Sequence, residues 1–512
     1  MAKKSITMNY IYNMVYQVLI LILPLVTTPY LSRVLGAEGI GIYSYTYAIV
    51  TYFILFGSLG VAMYGQREIA YAQDNPSKRK QVFWEVVIFR ILTIAVATVA
   101  YFFLFVKGAK YQIYYQILIL ELIASAFDIS WFFQGIEEFK KTVTRNVLVR
   151  ICSVTLVFIL VKNPEDLAKF TLIYSLADLI GNLSLWLYLP KYFKGVKIDH
   201  INVKQHIPHI FMLFIPQIAN QVYKILDTTM IGWLVQDKSE TGFYEQGHKV
   251  IRLLLTIVNS LGIVMIPRMA NAFANNDQKQ IKSYMKLSFN FTFFLSFPMI
   301  FGIVAISSDF VPVFFGAGYE KVNSIIYILS PMVLLMGLAN VLGTQYLLPT
   351  KKQKEYTNSV TWGVVVNFIL NYILITKYQA IGAAIATVLS QLVVDVLQYR
   401  YVTDMVRKKD LFNLSWKYFV SGLIMFLVCF GVKTIIDTNV ITEGLNNLIY
   451  SFGVSKDYTG EYLHHVVSIV AQMGIGVLVY IGMLIALKDD YVYTVINKVK
   501  SKVFKKEVKK EA

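Results

Sequence analysis

Gly41-Ile42-Tyr43-Ser44-Tyr45-Thr46-Tyr47-Ala48-Ile49-Val50-Thr51-Tyr52-Phe53-Ile54-Leu55-Phe56-Gly57-Ser58-Leu59-Gly60-Val61-Ala62-Met63 contains no charged residue. A helix of that length rises about 35 Å, enough to cross a hydrocarbon core of roughly 30 Å. Both ends of the stretch recur later in the chain. Gly41-Ile42-Tyr43 returns as Gly242-Phe243-Tyr244, 201 residues on, and Ser58-Leu59-Gly60-Val61-Ala62-Met63 returns as Ser260-Leu261-Gly262-Ile263-Val264-Met265, 202 residues on. One inserted residue reconciles the two offsets. The echo runs in the same direction as the original and carries the second apolar span onto the eighth. The pattern predicts a parallel duplication, six helices plus six, related by an axis along the membrane normal.

Outward from this stretch the chain repeats the same texture. Of its 512 residues 56% are hydrophobic and only 15% charged, and the mean hydropathy is +0.55. A soluble globular domain carries about 25% charged residues. Apolar runs of membrane-crossing length are read near 8–34, 41–66, 82–106, 113–134, 144–162, 167–190, 207–235, 243–270, 283–306, 323–349, 356–376, 380–402, 414–437 and 464–488. In lipid the backbone must satisfy its own hydrogen bonds, so these runs are expected to be helices. The predicted fold class is all-α integral membrane, with about fourteen transmembrane helices. The expected domains are 1–206 (an N-lobe of helices 1–6), 207–410 (a C-lobe of helices 7–12), 411–488 (two additional helices) and a basic tail, 489–512.

The net charge of +17 would suggest nucleic acid in a soluble protein. Here the lysines and arginines gather in alternate joins. One side of the expected membrane carries ten, among them Arg33, Lys107 and Lys110, and five more fall inside spans. The other side carries thirty-three, including Lys78-Arg79-Lys80, Arg407-Lys408-Lys409 and the tail from Lys498 to Lys510. Cytoplasmic loops hold the excess of cations, so both termini are expected in the cytoplasm of a plasma (inner) membrane, and no nucleic-acid partner is expected. Cys152 and Cys429 lie in apolar runs and offer neither a disulfide framework nor metal spacing. Met-Ala-Lys-Lys leads into the first span with no small-residue cleavage site, which reads as an uncleaved first helix.

The stretch Thr28-Pro29-Tyr30-Leu31-Ser32-Arg33-Val34-Leu35-Gly36-Ala37-Glu38-Gly39-Ile40-Gly41-Ile42-Tyr43-Ser44, followed by Tyr64-Gly65-Gln66-Arg67-Glu68, resembles the signature of bacterial polysaccharide flippases. These are the Wzx-type members of the multidrug/oligosaccharidyl-lipid/polysaccharide (MOP) exporter superfamily. As a hydropathy plan the resemblance covers the whole chain, and it is sharpest over the first 70 residues. It implies two six-helix lobes in a V, with two extra C-terminal helices. It also implies translocation of undecaprenyl-pyrophosphate-linked oligosaccharide from the cytoplasmic to the outer leaflet. The implied partners are membrane lipids, the polyprenyl-pyrophosphate-linked glycan and the polysaccharide polymerase machinery. Drug antiporters of the superfamily are expected to hold an acid in helix 1. Here no acid occurs between residues 8 and 37 or between 41 and 65, which weakens that alternative.

A pyrophosphate with sugars cannot cross hydrocarbon unaided, so charged groups within spans are the candidates for its path. Lys224 and Arg252 fall at matching depths of helices 7 and 8, and Asp227 and Lys249 form a second matched level. Three cations against one acid suit a phosphate, so Lys224, Lys249 and Arg252, with Arg33 of the signature, are the expected anion site. Asp227 and His248 are supporting or coupling candidates. Glu121 and Asp395, acids in apolar runs, are candidates for a coupling ion, H+ or Na+. Arg90, Asp128, Arg150 and Asp178 read as an inner gate or a static network. Pro24, Pro29, Pro216, Pro298 and Pro331 are expected to interrupt helices. Tyr43, Tyr45 and Tyr47 face either sugars or the interfacial aromatic belt.

No cofactor, metal or enzymatic role is expected. Gly39-Ile40-Gly41 is read as a loop without a preceding strand, so it is no nucleotide fingerprint. His464-His465 lack a third ligand nearby. The outer loops, about Leu35 to Ile40 and 438–463, are poor in catalytic groups, which disfavours a membrane glycan polymerase or transferase. A lipid II flippase and a cation-coupled multidrug antiporter remain alternatives within the superfamily.

Overall fold

The computed structural model describes residues 6–197, 200–403, 405, 408–435, 460–494 and 497. The basic tail from Lys498, Arg407 and most of the outer loop 438–463 lie outside the described residues. Among the described residues every regular element is a helix. In chain order these are α1 (Ile6–Ser58), α2 (Val61–Tyr71), α3 (Pro76–Tyr101), α4 (Gln112–Ala126), α5 (Ser130–Gly135), α6 (Phe139–Leu160), α7 (Leu167–Trp186), α8 (Pro190–Phe193) and α9 (Ile207–Leu234). There follow α10 (Ser239–Val258), α11 (Ser260–Ala274), α12 (Gln278–Phe315), α13 (Lys321–Leu329), α14 (Met332–Ala339), α15 (Gln353–Arg400), α16 (Lys408–Ile435) and α17 (Gly460–Ala486).

Ten helical stretches are long and apolar enough to cross a membrane, and the bent pair α10 and α11 makes an eleventh if it counts as one span. The chain is a multi-pass membrane protein. Two stretches far exceed one crossing of about 20 residues: Ile22–Tyr71 has 50 and Gln353–Arg400 has 48. The first leaves helical geometry at Gly36 (φ 67, ψ 176) and again at Leu59 and Gly60, the second at Gln379 (φ 55, ψ −130). A side chain at Gly36 would meet no neighbour, so the positive φ alone accounts for glycine there.

Several sequence expectations are corrected here. Residues 39–41 are helical, and the expected loop from Leu35 to Ile40 contracts to the break at Gly36. Pro24 and Pro29 lie inside α1 and Pro298 inside α12 without ending either helix. α9 runs on through position 216, whereas Pro331 does stand at a break, before α14. The span expected over 41–66 breaks at Leu59 and Gly60, both with positive φ. Its echo bends by 44° between Val258 and Ser260. The repeated Ser-Leu-Gly therefore marks a break in the helix at both of its occurrences.

The described chain forms two compact units, Met1–Glu245 and Gln246–Ala512. In the first unit, Phe83, Trp131, Phe132 and Phe193 centre an aromatic core that joins α3, α5 and α8. Gly65 allows this packing: a Cβ there would stand 2.5 Å from the Trp131 ring. Closer still is the approach of α1 to the start of α10. A Cβ on Gly41 would lie 1.7 Å from the Lys238 carbonyl oxygen, and one on Gly242 would lie 2.1 Å from that of Ala37. Helices in lipid associate through such backbone contacts, because burying apolar side chains from lipid gains little. In the second unit, α12, α16 and α17 share one core around Phe293, Tyr418, Met425 and Tyr480.

Candidate functional site

Within the first unit, helices α1, α3, α4, α6 and α7 line an open cavity of about 430 Å³ that carries charged side chains. Arg90 comes from the middle of α3, Glu121 from α4, Arg145 and Arg150 from α6, and Asp178 and Asn182 from α7. Asp178 and Asn182 are four residues apart and so project from one helical face, as do Asn146 and Arg150. Tyr47 from α1 and Gln221 from α9 complete the lining.

The geometry is only partly closed. Arg90 is 4% exposed. Its Nη2 stands 3.6 Å from Asp128 Oδ2 and 3.4 Å from Ser125 Oγ. Its Nε and Nη1 are buried with no hydrogen-bond partner. Asp128 Oδ1 is engaged at the start of α5, accepting from Ser130 N (2.9 Å) and Ser130 Oγ (2.5 Å). Arg145 donates to the neutral oxygens of Asn182 (2.7 Å) and Ser130 (2.6 Å). Arg150 Nη2 is 3.9 Å from Asp178 Oδ2. Arg90, Asp128, Arg150 and Asp178, grouped in the sequence reading, line one cavity, and Glu121, which stood apart from them there, joins them. Glu121 is not an isolated acid.

The expected anion site divides between the two units. Lys224 and Asp227 belong to the first unit, and His248, Lys249 and Arg252 to the second. Lys224 and Arg252 are exposed. Asp227 is buried and accepts a hydrogen bond from Tyr244 Oη at 2.6 Å. Lys249 Nζ donates to Gln246 Oε1 at 3.1 Å. Arg33 is exposed and donates to the carbonyl of Pro29 at 3.1 Å. Asp395 is buried in α15. Its Oδ1 accepts from Gln391 at 3.1 Å, and its Oδ2 has no hydrogen-bond partner.

Several buried acids escaped the sequence reading, Glu85 and Asp309 among them. Glu85 is fully buried in α3 and accepts four hydrogen bonds: from Gln81 Nε2 (2.9 Å), Asn202 N (2.7 Å), Gln205 Nε2 (3.0 Å) and His206 (2.7 Å). It ties the connector before α9 onto α3. Asp309, near the end of α12, meets Lys433 of α16 at 3.1 Å and three residues of α17: His465 (2.8 Å), Ser468 (2.9 Å) and Gln472 (3.2 Å). Glu85 lies inside the expected span 82–106, where the rule that singled out Glu121 applied equally, and Asp309 falls just past the expected end of its span at 306. Among the described residues no group of three or more His, Cys, Asp and Glu side chains is placed to hold a metal ion.

Membrane-crossing helices around a charged internal cavity define a multi-pass transport protein. Solved structures share the fold. The lipid II flippase MurJ in an inward closed conformation has a TM-score of 0.68 at 16% identity, covering 94% of this chain and 99% of that one. An inward-facing multidrug resistance transporter of the MATE family in the MOP superfamily has a TM-score of 0.55 at 11% identity, covering 75% and 98%. The sequence profile described as polysaccharide biosynthesis protein matches residues 6–273, and the MatE profile matches residues 213–373. The chain belongs to the polysaccharide biosynthesis protein family. It is similar to a protein assigned as an O-antigen transporter in Escherichia coli (strain K12), 26% identical over 78% of this chain and 98% of that protein. It is also similar to the capsular polysaccharide biosynthesis protein CapF of Staphylococcus aureus, 24% identical over 71% and 91%.

Proposed function

We propose that this protein is a flippase. It moves undecaprenyl-pyrophosphate-linked oligosaccharide repeat units from the cytoplasmic to the outer leaflet of the plasma membrane for surface polysaccharide synthesis. The observation that carries the reading is an open, charged cavity lined by membrane helices, in the part of the chain that matches the family profile. Sugars need such a wet polar passage while the polyprenyl tail stays in lipid. No bond is made or broken in this scheme, so the protein acts as a carrier and not as an enzyme.

The proposal includes fourteen crossings with both termini cytoplasmic. Separate arms of α1 and α15, the bent pair α10 and α11, and α9 are compatible with that number. Lobes near 1–206 and 207–410 would alternate access, with 411–488 as an addition. Lys224, Lys249, Arg252 and Arg33 are assigned to the pyrophosphate. Asp227, His248, Glu121 and Asp395 are assigned to support or to coupling with H+ or Na+. Polymerase machinery would take over the delivered glycan. The test is mass spectrometry of polyprenyl-linked glycans in source cells depleted of the protein. Accumulation of a complete repeat unit on undecaprenyl pyrophosphate is expected. Accumulation of lipid II would point to the peptidoglycan precursor, and unchanged pools with normal surface polysaccharide would refute the proposal.

A further inference from the structure

The cavity of the first unit is polar but not cationic. Arg90, Arg145 and Arg150 stand against Glu121, Asp128 and Asp178. A pyrophosphate seeks a surplus of positive charge, which this lining does not offer. A sugar hydroxyl is donor and acceptor at once, and it is matched by neighbouring guanidinium and carboxylate groups. The lining is also underused at Arg90. The closest approaches of Arg90 to Asp128 and of Arg150 to Asp178 are 3.6 and 3.9 Å, beyond the usual range of about 2.7–3.2 Å. Among the described residues Arg150 is the one ion-pair partner of Asp178. Arg90 keeps two buried nitrogens without a partner. A hydroxyl seated beside so loose a pair can accept from the guanidinium and donate to the carboxylate, as bridging waters do. The volume, about 430 Å³, lies in the range of roughly 300–1,000 Å³ typical of small-molecule sites. The Tyr47 ring adds an aromatic face.

We propose that this cavity is the saccharide subsite of the carrier. It takes sugar residues of the lipid-linked cargo through Arg90, Arg150 and Asp178, apart from the group that holds the pyrophosphate. This assignment rests on the flippase reading and adds to it where the glycan is recognised. It predicts that the sugars contribute to binding, and that their contribution depends on these residues alone.

The test uses the full chain in lipid nanodiscs and two probes. One is bare undecaprenyl pyrophosphate. The other is the polyprenyl-pyrophosphate-linked glycan extracted from source cells depleted of the protein. The wild type is expected to bind the glycolipid on the order of tenfold more tightly than the bare carrier. Asp178→Asn should erase that ratio while leaving affinity for the bare carrier unchanged. The double variant Arg90→Gln with Asp128→Asn, which removes a charge pair without stranding either partner, should do the same. Size-exclusion profiles and melting curves check that each variant folds. Equal weakening for both probes, or a ratio unchanged in all folded variants, overturns the subsite. A wild type that neither prefers nor translocates the glycolipid overturns the flippase reading itself, and the subsite with it.

Discussion

Replacing Gly41 by alanine isolates the tightest contact in the first unit. The added Cβ would lie 1.7 Å from the Lys238 carbonyl oxygen, 2.7 Å from its carbon and 3.0 Å from Gly242 N. Ordinary contact needs a gap of at least about 3.2 Å, so α1 and the turn before α10 must separate by roughly 1.5 Å. No flexible side chain can move aside, because every one of these contacts is backbone. Overpacking of this kind costs about 1–3 kcal/mol. At about 2–4 °C per kcal/mol for a unit of this size, melting should fall by roughly 5 °C. Gly482→Ala in α17 is the control: its Cβ would meet nothing within 4 Å, and the helix gains about 0.5–1 kcal/mol from the lost flexibility. Both variants are compared with the wild type by thermal unfolding in one detergent. A Gly41→Ala protein that melts with the wild type would refute the close approach of α1 to α10.

The buried pair at Arg90 gives a second prediction. Arg90→Ala should destabilise the first unit by up to about 3 kcal/mol, below the full value for a buried pair because Asp128 is partly wet. The Arg90→Gln/Asp128→Asn double variant should lose less, as measured by thermal unfolding; a larger loss would contradict pairing. Asp309→Asn leaves Lys433 and His465 facing a neutral amide, so it should cost about 1–3 kcal/mol. Amide exchange in α16 and α17 should accelerate before that of the first unit, and unchanged exchange would remove Asp309 as their tether. Finally, cysteines placed at Lys80 and at Lys110 should react with impermeant reagents from opposite faces of the membrane. Labelling from the same face would contradict the proposed topology.

The apolar spans were legible because lipid imposes one rule along the whole chain: apolar runs of fixed length with cations between them. The Ser-Leu-Gly repeat was legible as a motif but not as a bend, since nothing at Ser58 resembles a proline. The break at Gly36 replaced a loop because one positive φ turns the backbone without intervening residues. The site was less legible. Arg90, Asp128, Arg150 and Asp178 were singled out as charges in lipid, yet their gathering with Glu121 around one cavity depends on helix rotation, which spacing does not fix. Asp309 and His465 are 156 positions apart, and Glu85 and His206 are 121 apart. Such partners leave no periodic trace, so His464-His465 could be weighed only as a metal motif.

The most direct measurement is translocation by the purified protein in sealed liposomes. Lipid-linked glycan from the source cells is placed in one leaflet, and an impermeant glycosidase added to the other side reports its arrival. Protein-dependent digestion, faster than in protein-free vesicles and slowed by the Asp178→Asn variant, is the predicted result. Digestion no faster than in protein-free vesicles, by protein that is folded and inserted, would contradict the flippase account.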